Sequence, residues 1–477
     1  MSDPIADKDE TRATLDYVVA ESHRYLDNLD ASPVRMPGAD DSSLRLSGEL
    51  PLEGEGALKA LRGLVELGLE GAIRSSGPRF FHFVQGGTTP AALAADWLVS
   101  TLDQNPGMWV ASPMAEGLEV IALEWLKDLF GIPAEWGGVL TTGAQMANFT
   151  GLAAGRRWWA AQHGVDVERD GLAELPQMPV FASGLVHPTT IKAMGMLGVG
   201  RAQVQSPVRD DAGNLDVAKL RQLLDELEGE PALLIATAGE PNAGAFDPIG
   251  DMADLAEQYG CWLHIDGAFG LFGALSERSQ HLLAGMERAH SIISDGHKWL
   301  NVPYDCGFAF VREGALLRGA FGLGASYLSP VEDERPNAAY LSPESSRRAR
   351  ALPVWATLRA YGRNGYKEMV ERHLALAQRL AGLVDAAEDL ERLADVPLNI
   401  VCFRYRPPGA DPHRLDEINQ RLAEAIIYDG RVYVGGTIYE GKRALRPAIV
   451  NWRTTEGDID LIVEVVRELG GELASGP

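Results

Sequence analysis

Hydrophobic residues recur at helical spacing in two stretches near the amino terminus. The first stripe consists of Leu15, Val18, Val19, Ser22, Leu26 and Leu29. The second consists of Leu58, Leu61, Leu64, Val65 and Leu69. Between them, the segment SPVRMPGADDSS interrupts the pattern with Pro, Gly and Ser, which are typical of a loop. We therefore predict a helical arm over residues 1–75, whose apolar faces must be covered by the chain's own domain or by a partner subunit.

Short β-rich runs alternate with helical patterns from residue 76 to residue 365. The runs are GGVLTT (137–142), PVFAS (179–183), PALLIATA (231–238), WLHID (262–266), SIISD (291–295) and CGFAFV (306–311). Strands that alternate with helices favour an α/β fold, in which a mostly parallel, doubly wound sheet is covered by helices on both faces. Such sheets bind ligands at the carboxyl ends of their strands, so the residues just after each run are candidate site residues.

Residues 366–477 have a different pattern, which predicts a smaller C-terminal α+β domain. A long helix, KEMVERHLALAQRLAGLVDAA, is followed by a strand, LNIVCFRYR, and by a helix through INQRLAEAIIYDG. Paired strands are expected around VYVGG and PAIVNW, and a closing helix is expected at DIDLIVEVVREL. The predicted organisation is thus an arm (1–75), a large domain (76–365) and a small domain (366–477).

Composition and charge exclude several classes of function. The 477 residues are 46% hydrophobic, which is enough for a substantial core. The formal net charge of -24 argues against broad attraction to nucleic acid or to an anionic membrane surface. The three cysteines form no C-x-x-C pair, so neither a disulfide framework nor a zinc site is indicated.

The amino-terminal sequence MSDPIADKDETR is polar and lacks the apolar region of a signal peptide. No stretch approaches the ~18 consecutive apolar residues of a membrane helix. We therefore expect a cytoplasmic enzyme without membrane or nucleic-acid partners. An interaction protein is the alternative at this point.

Two motifs carry most of the expected chemistry. Lys298, in DGHKW, directly follows the run SIISD, and a lysine there can bond covalently to an aldehyde cofactor. A lone lysine is more often a surface residue, but the bulky neighbours His297 and Trp299 indicate a buried setting. Asp266 ends the run WLHID, where a buried carboxylate needs a positive partner such as a protonated pyridine nitrogen. Capping of a helix or turn is the common alternative role for an aspartate.

Two weaker features support the same site. Thr142, Gly143, Ala144 and Gln145 lie between a predicted strand and helix, where small residues expose backbone N–H groups to an anion. Many α/β turns look like this one. His187 follows the run PVFAS and could stack on an aromatic cofactor, although a lone histidine is more often part of the core.

The order of these features, each just after a strand, resembles that of the fold-type I pyridoxal-phosphate enzymes. More closely, the chain resembles the group II amino-acid decarboxylases, the family of aromatic-amino-acid and glutamate decarboxylases. The most specific part is WLHIDGAFG, followed about thirty residues later by DGHKWLNVPYDCG. SSRRARALPVWATLRAYG and LRPAIVNWRTT also resemble that family, and the resemblance extends from about residue 78 to the carboxyl terminus.

The resemblance implies pyridoxal 5'-phosphate as cofactor and an amino acid as substrate. Lys298 would carry the cofactor covalently, Asp266 would pair with the pyridine nitrogen, and Ala268 would pack on the ring. His187 would stack on the opposite face and help to orient the substrate. Tyr340 lies close to the position of a mobile-loop tyrosine that protonates the product in relatives, although the alignment there passes through a length difference.

The cofactor's phosphate is expected to meet a set of donors consisting of Gly143, Ala144, Gln145 and His297. The chain also departs from the family pattern at two places. EPNAGAFD (240–247) stands where many relatives have paired threonines, and Asn242 is a candidate to replace a hydroxyl near the cofactor's phenolic oxygen. Asp295 stands where some relatives have an Asn or similar group near the phosphate, and an anion there is electrostatically awkward unless it faces away.

The expected reaction is decarboxylation of an L-amino acid to the amine and CO₂. Aromatic residues at the start of the expected pocket favour an aromatic substrate, although core packing explains them equally well: Phe80, Phe81, His82, Phe83 and Trp109. Arg79 leaves an acidic substrate open.

Aldehyde-forming decarboxylation with deamination, or transamination, is the alternative on the same scaffold. A catalytically silent dimer is the rival from another class, and intact Lys298 and Asp266 argue against it. The resemblance further implies a homodimer with shared active sites.

Overall fold

The computed structural model describes residues 3–331 and 334–475. Its α-helices are α1 (Thr11–Asn28), α2 (Ala57–Gly68), α3 (Pro90–Leu102), α4 (Pro113–Phe130), α5 (Ala144–Gln162), α6 (Val167–Asp170), α7 (Pro188–Met196), α8 (Val217–Glu226), α9 (Ile249–Tyr259), α10 (Gly314–Phe321), α11 (Ala351–Ala386), α12 (Leu415–Asp429) and α13 (Glu456–Ser475). Its strands are β1 (Gly137–Thr141), β2 (Val180–Ala182), β3 (Val204–Gln205), β4 (Leu233–Thr237), β5 (Trp262–Asp266), β6 (Ser291–Asp295), β7 (Gly307–Val311), β8 (Leu390–Arg392), β9 (Phe403–Tyr405), β10 (Gly436–Tyr439) and β11 (Lys442–Leu445).

Seven strands form the large sheet, in the order β1-β7-β6-β5-β4-β2-β3. Strand β7 pairs antiparallel with both of its neighbours, and the remaining pairs are parallel. The prediction of a mostly parallel sheet in an α/β domain is therefore confirmed. Every predicted run in residues 76–365 contains a strand, and WLHID and SIISD have the observed bounds.

Both faces of the sheet are buried, as the near-continuous apolar runs require. Along β4, Leu234 and Ala236 belong to one hydrophobic cluster, and Leu233 and Ile235 belong to another on the opposite face. Helix α5 covers one face, where it contacts β1, β5, β6 and β7. This stacking places the amino terminus of α5 at the carboxyl edge of the sheet, where ligands of such folds bind.

The small domain contains an antiparallel sheet in the order β10-β11-β9-β8. The prediction of strand pairing around VYVGG and PAIVNW was wrong in its details. The observed hairpin joins β10 to β11 through Glu440 and Gly441, whose positive φ angles of 46° and 72° fit a tight hairpin turn. Tyr433, in VYVGG, instead forms a parallel bridge with Phe80, and PAIVNW pairs through the single bridge Ile400–Ala448.

Helix α11 connects the two domains. It is kinked at Gly362, where φ is +61° and a side chain would be strained. Hydrophobic side chains up to Leu374 belong to the core of the large domain, whereas those from Leu376 onward belong to the core of the small domain. The division at residues 365 and 366 stays a prediction, because it falls inside a helix that contributes to both cores.

The amino-terminal helices α1 and α2 pack on each other and leave apolar surface uncovered. None of the residues of α1 or α2 is fully buried, and Leu15 and Leu64 are 56% and 52% exposed. An apolar cavity of about 380 Å³ lies between these helices and α3. Within the described residues, no helix is long and apolar enough to cross a membrane.

A buried ion pair holds the start of α11 against α4 and β1. The Arg347 side chain is 0% exposed and its two Nη atoms donate to the Glu119 carboxylate at 2.8 and 3.0 Å. Arg347 also donates to the carbonyl groups of Pro106 and Leu140. Next to this pair, burial and the charge of Glu119 raise the pKa of Glu116 to about 8.

We predict that Arg347→Ala lowers the free energy of unfolding by about 3–5 kcal/mol, because it leaves the Glu119 carboxylate buried without its cation. Arg348→Ala is the matched control, since its ion pair with Asp96 is partly exposed and is expected to contribute less than about 1 kcal/mol. Urea unfolding of both variants measures the difference. Equal losses would show that the buried pair has no special role.

Candidate active site

A cavity of about 290 Å³ opens at the carboxyl edge of the large sheet. Its size is near the lower end of ligand pockets, about 300–1,000 Å³. Thr237, Asp266 and Asp295 end strands β4, β5 and β6 there, and Thr142 directly follows β1. The predicted site residues that line it are Gly143, Ala144, Gln145, His187, Asp266, Ala268, His297 and Lys298.

Lys298 is held in the cavity by the residues around it. It lies in the turn Gly296–Leu300 directly after β6, where its own backbone angles, a φ of -91° and a ψ of -105°, are not helical. The neighbouring Trp299 is fully buried, and its indole nitrogen donates to His373 at 2.8 Å. The Lys298 ammonium lies 3.3 Å from the Asp295 carboxylate and 5.8 Å from the centre of the Phe269 ring. The lysine is therefore anchored by a buried neighbour while its own amine faces the cavity.

Asp266 is 4% exposed, and donors from three different elements meet its carboxylate. Asn148 of α5 and Thr190 of α7 donate to Oδ2 at 2.9 and 2.7 Å. The backbone N–H of Ala268 donates to Oδ1 at 3.2 Å. The arrangement suits a carboxylate that accepts a further hydrogen bond from a cationic ring nitrogen.

Asp295 does not face away from the expected phosphate position. Its Oδ1 accepts the backbone N–H of Ala144 at 2.6 Å, so it caps the amino terminus of α5. Its Oδ2 lies 3.4 Å from His297 Nε2. The His297 Nδ1 accepts the N–H of Cys306 at 3.3 Å, and burial lowers the pKa of this imidazole. One of the amides expected for the phosphate is thus bonded to a carboxylate.

The turn before α5 lets the backbone approach a ligand closely. A Cβ atom at Gly143 would lie 3.0 Å from His297 Cε1 and 3.4 Å from Asp295 Oδ1. Gly143 also has a φ of +140°, which L-residues rarely adopt. A lysine, a buried carboxylate and a helix amino terminus therefore meet in one cavity, and these groups fit an aldehyde cofactor with a pyridine nitrogen and a phosphate.

His187 caps the amino terminus of α7. Its Nδ1 accepts the N–H of Thr189 at 3.2 Å, and burial lowers the pKa of the imidazole. A neutral imidazole whose Nδ1 accepts a hydrogen bond carries its proton on Nε2. His187 is thus a neutral hydrogen-bond donor at the cavity wall.

Two predicted site residues lie away from the cavity of their own chain. Asn242 accepts a hydrogen bond from Thr437 of the small domain at 2.6 Å, so the structure does not support its expected place near the cofactor. Tyr340 is 2% exposed, and its hydroxyl donates to the carbonyl of Ser329. The sequence does not show which way these loop side chains turn.

Of the residues predicted to bind the substrate, some line the cavity and others lie elsewhere in the structure. Phe83 lines the cavity, whereas Phe81 is 0% exposed in the core of the small domain. Phe80 stacks on Tyr433 at 4.9 Å. Arg79 donates to two carbonyl groups of the amino-terminal segment and does not line the cavity. The backbone N–H of Trp109 donates to Asn337, and Trp109 does not line the cavity either.

Sequence reasoning missed one charged residue that lines the cavity. Arg446 follows β11 of the small domain and donates to the carbonyl of Pro241 at 3.0 Å. Burial lowers the pKa of its guanidinium, and the opposite charge of Glu240 acts against that effect. It lies in the segment LRPAIVNW, whose resemblance to the family was the available signal.

Known proteins resemble this chain over most of its length. The family model described as the pyridoxal-dependent decarboxylase conserved domain matches residues 53–406. An aromatic-L-amino-acid decarboxylase of Bacillus atrophaeus is 30% identical over 404 residues, which cover 83% of this chain and 82% of that protein. An L-2,4-diaminobutyrate decarboxylase of Acinetobacter baumannii is 29% identical over 433 residues, or 87% of this chain and 84% of that protein. Oryza sativa TDC, crystallised with PLP and tryptamine, has a TM-score of 0.89 and 27% identity, covering 98% of this chain and 99% of that chain.

We predict that Asp295→Asn binds pyridoxal phosphate about tenfold more tightly than the wild type, because it removes a like charge near the expected phosphate position. The asparagine keeps an oxygen that can accept the N–H of Ala144. Titration of the cofactor-free proteins, followed by tryptophan fluorescence, gives the dissociation constants. The control Asp128→Asn removes the same charge from an exposed side chain and should leave affinity unchanged. Weaker binding by Asp295→Asn would contradict the prediction.

Proposed function

The chain belongs to the pyridoxal-dependent decarboxylase family, and on this premise we propose that it converts an aromatic L-amino acid to the amine and CO₂. One observation carries the proposal: the Lys298 amine and the Asp266 carboxylate line the same cavity as the aromatic ring of Phe83. Aromatic-amino-acid substrates are named for the Bacillus relative. The cytoplasmic location expected from the polar amino terminus stays a prediction.

Each polar residue of the cavity has a separate proposed task. When bound, pyridoxal phosphate supplies an electron sink for the electron pair left by the departing carboxyl group. Lys298 would hold the cofactor covalently, and Asp266 would accept a hydrogen bond from its pyridine nitrogen. His187, a neutral donor with its proton on Nε2, would orient the substrate. Ala268 would leave space for the flat ring, with Gly143, Ala144, Gln145 and His297 at the phosphate.

The backbone at Phe83 and Val84 supports an aromatic substrate. Their φ angles are +56° and +60°, a region that is strained for non-glycine residues and especially for a β-branched one. Such strain persists where the surrounding structure imposes it, and it is common at ligand sites. The Phe83 ring packs on His82 at 3.6 Å and is still 57% exposed, so it offers an aromatic surface to a ligand.

An acidic amino acid is the second candidate substrate, because Arg446 brings a guanidinium into the cavity lining. Arg446 is partly matched by Glu240, so the cation is already compensated within the chain.

A panel of amino acids incubated with the cofactor-loaded protein tests the proposed activity. We expect aromatic amino acids to give amine and CO₂ in equal amounts, with amine, aldehyde and CO₂ measured separately. Lys298→Ala should yield no covalent cofactor adduct after borohydride reduction, whereas the control Lys192→Ala should yield as much as the wild type. Turnover of acidic amino acids alone would overturn the aromatic assignment. A reduced adduct on Lys298→Ala would overturn the lysine assignment.

We also propose that the chain forms a homodimer with shared active sites. The uncovered apolar faces of α1 and α2 support this proposal, because an obligate dimer interface is largely apolar and typically buries at least about 2,000 Å². Tyr340 does not line the cavity of its own chain, and its hydroxyl donates to the carbonyl of Ser329, so it would serve the partner only after that contact opens. The segment before it exposes Leu323 and Tyr327 by 83% and 85%, and this surface also lacks cover within one chain.

Mixed dimers of Lys298→Ala and Tyr340→Phe subunits test the shared sites. If sites are shared, a mixed dimer has one site with both lesions and one with neither, so activity should return towards half of the wild-type value. If each site is built from one chain, mixing restores nothing. Tyr340→Phe alone should divert product from amine to aldehyde. Tyr327→Phe is the matched control, and a diversion by Tyr327→Phe instead would transfer the proposed proton-donor role to Tyr327.

A further inference from the structure

A line of polar side chains is buried between strand β5 and helix α5, behind the cavity. On the strand, alternate residues face the helix: Trp262, His264 and Asp266. On the helix, the residues that face them are Gly155, Gly151 and Asn148. A strand advances about 6.6 Å over two residues, and a helix advances about 4.5–6 Å over three or four residues. The spacing of the three strand residues therefore matches that of the three helix residues.

The two glycines make room for the rings of the strand. A Cβ atom at Gly151 would lie 3.1 Å from His264 Cε1, and a Cβ atom at Gly155 would lie 3.1 Å from Trp262 Nε1. Both distances are tighter than ordinary van der Waals contact. Small residues at these positions therefore allow α5 to approach β5 closely enough for Asn148 to reach Asp266.

A continuous chain of hydrogen bonds connects these residues. Trp262 Nε1 donates to Ser291 Oγ at 3.0 Å, and Ser291 Oγ lies 2.7 Å from His264 Nδ1. His264 Nε2 lies 2.8 Å from Asn148 Oδ1, and Asn148 Nδ2 donates to Asp266 Oδ2 at 2.9 Å. An indole nitrogen only donates, and an ionised carboxylate only accepts. The carboxylate end fixes the Asn148 amide, whose NH₂ group faces Asp266 and whose oxygen therefore accepts from His264 Nε2. The hydroxyl of Ser291 can donate to or accept from His264 Nδ1.

The bond to Asn148 and the burial of the ring together define the state of His264. Its Nε2 donates to Asn148, and because burial keeps the ring neutral, its Nδ1 carries no proton and accepts from Ser291. The side chain is 0% exposed, and burial lowers the pKa of His264 to about 4 against the raising effect of Asp266. Asp266 is the charged group that faces it, and the contacting groups of Trp262, Ser291 and Asn148 are neutral.

We propose that His264 is a positioning residue, whose Nε2–H binds the Asn148 oxygen and so acts with Asp266 to hold the NH₂ group of the amide toward the carboxylate. An amide is nearly symmetric in shape but not in polarity, so packing alone does not choose between its two orientations. Rotated by half a turn, Asn148 would place an acceptor against Asp266 and leave the carboxylate one donor short. The inference rests on the proposed pairing of Asp266 with the cofactor's pyridine nitrogen.

Two variants separate the polarity of His264 from its volume. In His264→Gln, the side-chain Nε2 can donate to Asn148 while Oε1 accepts from Ser291. In His264→Leu, neither bond is possible. We expect His264→Leu to lower kcat about tenfold with KM within about twofold, as for residues that orient the partner of a catalytic group. We expect His264→Gln to retain kcat within about threefold, and equal losses in the two variants would overturn the proposal.

The tautomer is measured directly in the cofactor-free protein. Imidazole ¹⁵N NMR of the wild type, with His264 assigned by its loss in His264→Gln, should show the neutral Nε2–H form between about pH 6 and pH 9. A protonated ring or an Nδ1–H tautomer in that range would overturn the proposal. This measurement needs neither activity nor the folding of His264→Leu.

The pH titration of the bound cofactor's absorbance distinguishes this proposal from the proposed function. His264→Leu should shift the titration in the same direction as Asp266→Ala but less far, and His264→Gln should leave it in place. A shift in Asp266→Ala without one in His264→Leu would overturn the role of His264 alone. No shift in Asp266→Ala would overturn the pairing of Asp266 with the cofactor, and with it the purpose assigned to His264, whatever tautomer NMR finds.

Discussion

The buried carboxylate of Asp266 is the group on which the arrangement of the site depends. A charge with 4% exposure is costly unless donors surround it. Those donors come from α5, from α7 and from the turn after β5, so three elements must keep their positions for the charge to be tolerated. Glycines in α5 allow the close approach to the strand that one of these bonds needs. Folding of the large domain and construction of the site are thereby coupled.

Acidic residues near the cavity accept hydrogen bonds from different parts of the backbone. Asp295 caps α5 through the N–H of Ala144. Glu240 accepts the backbone N–H groups of Asn242 and Ala243, which closes a turn, and its charge faces Arg446. Asp295 and Glu240 lie at the two places where the chain departs from the family pattern, and at both places the carboxylate caps local backbone N–H groups. These bonds explain how a chain with a net charge of -24 places carboxylates beside an anion-binding cofactor site without leaving them unsatisfied.

The sequence predicted those parts of the site that follow from strand ends. Lys298 and Asp266 follow or end β-rich runs, and parallel strands bring such ends to one edge. No comparable rule applies to Arg446, whose place in the cavity depends on how the small domain packs on the large one. Asn148 lies in the second turn of α5, where a polar residue is usually solvent-facing or satisfied locally. Asn242 and Tyr340 lie in loops, whose side-chain directions depend on contacts with distant residues.

Asp295 contacts both the expected phosphate position at the amino terminus of α5 and the Lys298 ammonium. One of its oxygens is bonded to the amide of Ala144, and the other lies near the Lys298 ammonium and His297 Nε2. An anion that arrives at the amino terminus of α5 must therefore share or replace a bond of the carboxylate that also holds the lysine. Because ion pairs strengthen as water is excluded, this competition depends on how far the cavity is closed. The phosphate end and the lysine end are thus coupled through a single side chain.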